Sequence, residues 1–104
     1  MSIAYDTLPQ STNSPVEEFA DRHGLVELVE TGRRLAIQCF DLDGPAVARL
    51  TADPESGSEW VEIAVSVKGE IPDVRQAHRR FTREWLKILP SDKALLVRLA
   101  LSLV

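Results

Sequence analysis

The spacing of apolar positions along the chain changes several times, and each change predicts an element. In "SPVEEFADRHG", Val16, Phe19, Ala20 and His23 share one helical face. Ser14 and Glu17 have capping-box spacing, Pro15 suits the first helical position, and Gly24 can close the helix in a left-handed conformation. The next segment, "LVELVETGRRLAIQCF", gathers Leu25, Leu28, Val29, Leu35, Ala36, Cys39 and Phe40 into one broad stripe, which predicts a second helix. Gly32 within it costs about 1 kcal/mol relative to alanine. Leu35, Ile37 and Cys39 also alternate as strand residues would, so residues 33–40 fit either state, and helix is the expectation.

Beyond "DLDGP" the period shortens. "AVARLTA" reads as a strand, "DPESGSE" as a turn-rich loop, and "WVEIAVSV" places Val61, Ile63, Val65 and Val67 on one side of a second strand. In "IPDVRQAHRRFTREWLKIL" the helical period returns. Val74, Ala77, His78, Phe81, Trp85, Ile88 and Leu89 form its apolar arc, and Pro90 ends it. The final "KALLVRLALSLV" alternates Leu95, Val97, Leu99, Leu101 and Leu103 against Leu96, Arg98, Ala100, Ser102 and Val104. A strand is the expectation for residues 93–104, although the leucine content also fits a helix.

The order α-α-β-β-α-β predicts an α+β fold of two layers, with a small, mainly antiparallel three-stranded sheet against the helices. The strand–helix–strand crossover makes the last strand parallel to the second. Placing it antiparallel beside the first gives the spatial order 3-1-2. Residues 1–13, rich in Ser, Thr, Asn and Pro, read as a flexible tail, and residues 14–104 as a single domain.

Composition narrows the function classes. At 104 residues, 44% apolar and 27% charged, the chain is that of a globular domain. Its net charge of −4 argues against broad, nonspecific binding to nucleic acid or membranes. One cysteine, Cys39, precludes an internal disulfide and suits a reducing compartment. No apolar run reaches the roughly 20 residues of a membrane span, and the polar start "MSIAYDTLPQSTNS" does not read as a signal peptide. A cytoplasmic location is the expectation.

The stretch Phe40–Gly44, "FDLDG", resembles the opening signature of haloacid-dehalogenase-type phosphatases. The resemblance implies Asp41 as nucleophile, Asp43 as general acid and a bridging Mg²⁺ that neutralises the attacking carboxylate. It covers those residues alone. Pro45 stands where the family usually has Thr or Val, and no later acidic pair completes a metal site. The alternative, which the sequence favours, is a connector in which Asp41 turns the chain and Gly44 takes a positive φ. A calcium loop starting at Asp41 fails at its twelfth position, Ala52, where a bidentate glutamate is required.

Other chemistry is sparse. Cys39 with His23 or His78 could form a thiol–imidazole pair. Cys39, however, lies on an apolar stripe, where a buried inert thiol is the commoner outcome, and His78 lies within an apolar arc. Two histidines and one cysteine lack zinc-site spacing, and Asp53, Glu55 and Glu59 read as a solvated hairpin loop. No cofactor is implied.

Electrostatics gives the main functional signal. Arg75, Arg79, Arg83 and Lys87 step at i, i+4 along one helix with Arg80 beside them, whereas residues 1–44 carry eight acids against three bases. A solvated amphipathic face explains this pattern, and so does a surface for an acidic protein partner or, as an alternative, nucleic acid. The apolar last strand adds a second signal: Leu96, Arg98, Ala100 and Val104 would lie along a sheet edge open to pairing with another chain. The expectation is a protein-binding accessory or regulatory subunit without catalytic activity, forming a homodimer. A nucleic-acid-associated regulator using Arg75–Lys87 is the first alternative, and an Mg²⁺-dependent hydrolase at Asp41 and Asp43 the second.

Overall fold

The computed structural model describes residues 14–104, and the expected tail, residues 1–13, lies outside the described residues. Helix α1, Pro15–Arg22, begins at the predicted capping box: the Ser14 side chain accepts from the Glu17 N–H, and the Glu17 carboxylate accepts from the Ser14 N–H at 2.9 Å. It ends as predicted at Gly24, with φ 68°. There the Leu25 N–H donates to the Ala20 carbonyl at 2.7 Å and the Gly24 N–H to that of Asp21 at 3.3 Å. This tight closure turns the chain directly into α2, Val26–Cys39, and buries Leu25 completely.

Helix α2 resolves the ambiguity over residues 33–40 in favour of helix. Gly32 weakens that helix in isolation, yet an added Cβ there would lie 2.5 Å from Ile63 Cδ1 and 2.9 Å from Trp85 Cζ3. The glycine leaves room for Ile63 and Trp85, which a side chain there would displace. Phe40 ends α2 and packs its ring 5.8 Å from Phe81, which stacks on Trp85 at 5.9 Å.

Strand β1, Val47–Ala52, pairs antiparallel with β2, Glu59–Val67. β2 alternates as predicted, with Val61, Ile63, Val65 and Val67 buried under the helices. Helix α3, Ile71–Ile88, crosses back over the sheet, and β3, Val97–Leu103, pairs parallel with β2. The α+β class stands, but the sheet is mixed and its order is β1-β2-β3. The expected order 3-1-2 is therefore wrong, although the parallel relation of the last two strands is right. β2 is the longest strand, and its alternating face is the most completely buried, which suits it to the centre.

Two local expectations also change. The last strand begins at Val97, because a 3₁₀ turn at Ser91–Lys93 and a further turn precede it. Leu95 falls in that turn and is exposed, so it does not continue the core face. His78 and Ile88, placed in the apolar arc of α3 by periodicity, are exposed, whereas Val74, Phe81 and Trp85 are buried. Among the described residues, no helix is long and apolar enough to cross a membrane.

Candidate functional site

The connector after α2 is fixed by its backbone. The Asp41 carbonyl accepts from the Lys68 N–H at 2.8 Å, and the Asp43 N–H donates to the Ser66 carbonyl at 2.7 Å. Gly44 has φ 112°, the positive value expected of it. Arg33 on α2 donates through Nε to the Ala46 carbonyl at 2.9 Å and pairs with Glu30 at 2.7 Å, which ties the loop to the helix. Both aspartates are exposed, and Asp41 Oδ1 lies 3.9 Å from Lys68 Nζ. The chain thus enters Asp41 from a helix, where the phosphatase resemblance implies a strand. Among the described residues, no group of three His, Cys, Asp or Glu side chains is placed to hold a metal ion.

Cys39 is buried at the end of α2. Its carbonyl accepts from Arg80 Nη2 at 3.0 Å, a long-range contact that pins α3 to α2. Arg80, expected on the partner-binding face, therefore has a structural partner. Lys87 is paired with Glu84 at 3.1 Å. Arg75, Arg79 and Arg83 are exposed at one-turn spacing and form no ion pair among the described residues. The basic signal thus narrows to three guanidinium groups.

Arg75, at one end of the stripe, borders a groove of about 270 Å³ that is lined also by Ile71, Val74, His78, Leu101 and Leu103. β3 forms its floor and is an edge strand of the sheet. Of the residues expected at a dimer edge, Ala100 is half-buried on the helix-free face and Val104 is exposed. Leu96 is not outside as expected: it is half-buried against the core, and its carbonyl accepts from the Val61 N–H at 2.7 Å. Turn geometry at Ala94–Leu96 removes it from the strand's alternation.

The helix-free face carries a constellation that the sequence reading missed. Strand register sets Arg49, Glu62 and Arg98 in one row across the three strands. Arg49 Nη2 and Nε both donate to Glu62 Oε1, at 2.8 Å and 3.0 Å. The Arg98 guanidinium lies 4.0 Å from the centroid of the Trp60 ring, and the indole N–H of Trp60 is buried without a hydrogen-bond partner. The alternation of β1 and β2 could have placed Arg49, Trp60 and Glu62 on one face. Adding Arg98 needs the parallel register, which the wrong strand order hid.

Comparison with known protein families, with curated proteins and with solved structures finds no match to this chain.

Proposed function

We propose that the protein is a non-catalytic protein-binding subunit of the cytoplasm, acting as a homodimer through the β3 edge and engaging an acidic protein partner through α3. The observation that carries the partner reading is the exposed line of Arg75, Arg79 and Arg83, which no carboxylate among the described residues neutralises. Three like charges on one helix face repel one another, and an acidic surface relieves that repulsion while fixing register on the helix. The exposed apolar Ile71 and Leu86 near this line add contact area. The helix is held from behind by Phe81, Trp85 and the Arg80 contact to α2, so the line is presented on a rigid element.

The test is co-purification from the host with the intact protein and with Arg79→Glu/Arg83→Glu. Both side chains are exposed, so the double reversal leaves the fold and its circular dichroism unchanged. The reading expects a partner with an acidic surface that the wild type retains and the reversed variant loses. Equal retention by both would overturn it. Salt-sensitive binding of labelled DNA or RNA, lost in the same variant, would replace it with the nucleic-acid reading.

A further inference from the structure

We infer that residues 2–8 of this chain lie along the outer edge of β1 as a fourth strand, filling the groove between that edge and the first two helices. The groove encloses about 670 Å³, and its lining includes Ser14, Val16, Val26, Val29, Val47 and Ala48. Val26 and Val47 are 51% and 46% exposed. Of the charged residues that line it, Glu30 and Arg33 pair with each other at 2.7 Å, and Glu17 caps α1. Asp21 remains, so the groove suits an occupant that is mainly apolar.

β1 is an edge strand of the sheet. One step beyond its pair Ala52↔Glu59, the Asp53 N–H donates to the Ser58 carbonyl at 2.8 Å. Antiparallel ladders alternate, so the odd-numbered residues of β1 bond to β2. The backbone groups of Ala48, Leu50 and Ala52 point the other way, out of the sheet. Ala46 fits the same parity, since its carbonyl accepts from Arg33 Nε at 2.9 Å on the outer side. Among the described residues, no loop or side chain pairs with the outward groups of Ala48, Leu50 and Ala52. They form a short open edge that takes a further strand.

The occupant follows from where the chain enters. Ser14 lines the groove, and residues 1–13 join the described chain at Ser14. A short tether gives the segment an effective concentration of about millimolar at this site, above that of any free partner at micromolar levels. Ile3, Tyr5 and Thr7 alternate with Ser2, Ala4 and Asp6, a strand pattern, whereas "PQSTN" at residues 9–13 has the composition of a connector. Seven residues extend about 23 Å and the six of β1 about 20 Å, so the two lengths match. The segment leaves Ser14 beside Pro45–Ala48 and runs towards Ala52, which makes it antiparallel to β1. With Ile3 and Tyr5 turned to Val16, Val26 and Val29, Asp6 falls on the helix-free face, the face that carries Arg49. Asp6 is the only charged side chain in residues 1–13. This replaces the expectation of a flexible tail for residues 2–8.

Amide exchange of the full chain, read by NMR, tests the inference. The N–H groups of Ala48 and Leu50 are expected to be protected to the same degree at every protein concentration. Ile3→Asp/Tyr5→Asp, which forces two charges on the groove, is expected to speed their exchange roughly tenfold or more. The Tyr5 ring is expected to show nuclear Overhauser contacts to at least one of Val16, Val26 and Val29. Fast exchange at Ala48 and Leu50 in the wild type, or protection that the double variant leaves unchanged, would overturn the inference. So would protection that rises with concentration, which would give the groove to a second copy. If the double variant does not fold, the wild-type exchange and the Tyr5 contacts decide alone.

Discussion

Gly32 shows how a single position can mislead when read in isolation. Helix propensity alone favours Gly32→Ala by about 1 kcal/mol. The added methyl would meet Ile63 Cδ1 at 2.5 Å and Trp85 Cζ3 at 2.9 Å, both in a packed interior. Overpacking of that kind typically costs about 1–3 kcal/mol. We therefore expect Gly32→Ala to lower the urea midpoint, and a raised midpoint would refute the close approach. Asp53 is a residue-scale case with a pH signature. Its carboxylate accepts from the Glu55 N–H at 2.9 Å, and that bond above all holds its pKa below the ordinary aspartate value, with Ser56 helping. A lowered folded pKa means that the stabilisation is present above the unfolded value of about 3.9. It is lost as pH falls through the lowered folded value. The difference in thermal midpoint between wild type and Asp53→Asn should thus be largest near neutrality and vanish in acid. A gap independent of pH would show that the carboxylate charge plays no part in the turn.

At the scale of elements, termini were the most legible features because their signals are local. Ser14, Pro15 and Glu17 mark the start of α1, and Gly24 its end, through contacts spanning no more than five residues. Ser14→Ala should remove the cap and cost about 0.5–2 kcal/mol, measured by chemical denaturation, with amide exchange fastest in the first turn of α1. An unchanged midpoint and unchanged exchange would show that the capping box contributes nothing. Helix α2 was legible as a stripe but not as a certainty, because Gly32 spoke against it, and only Ile63 and Trp85, far along the chain, explain that glycine. The arc of α3 was drawn too wide at His78 and Ile88 for a related reason. Periodicity assigns a face, but the width of the buried strip depends on how closely the sheet and α2 approach, and that is a tertiary quantity. The same limit applied to Arg80: its place among five cations suggested a binding role, whereas the Cys39 carbonyl, forty-one positions away, claims its guanidinium.

For the molecule as a whole, the crossover rule gave the direction of the last strand correctly and its neighbour incorrectly. Chain chirality fixes handedness, but two antiparallel strands joined by a hairpin offer two edges, and the sequence does not say which is taken. The choice has a functional consequence. With β3 beside β2, the outer edge of β3 presents Leu99, Leu101 and Leu103, and Arg75 of the basic line borders the groove that Leu101 and Leu103 line. Amide hydrogen exchange reads the ladder to β2 and the outer edge of β3 at once. The N–H groups of Arg98, Ala100, Ser102 and Val104 point to β2 and should be protected at every protein concentration. In the proposed homodimer, those of Leu99, Leu101 and Leu103 should exchange quickly in dilute solution and slow as concentration rises, because their acceptors would belong to a second copy. This alternation within one strand is a signature that simple burial would not produce: burial would protect neighbouring amides together and without regard to concentration. Uniform protection along β3, or an alternation with the opposite parity, would contradict both the parallel ladder and the edge built upon it.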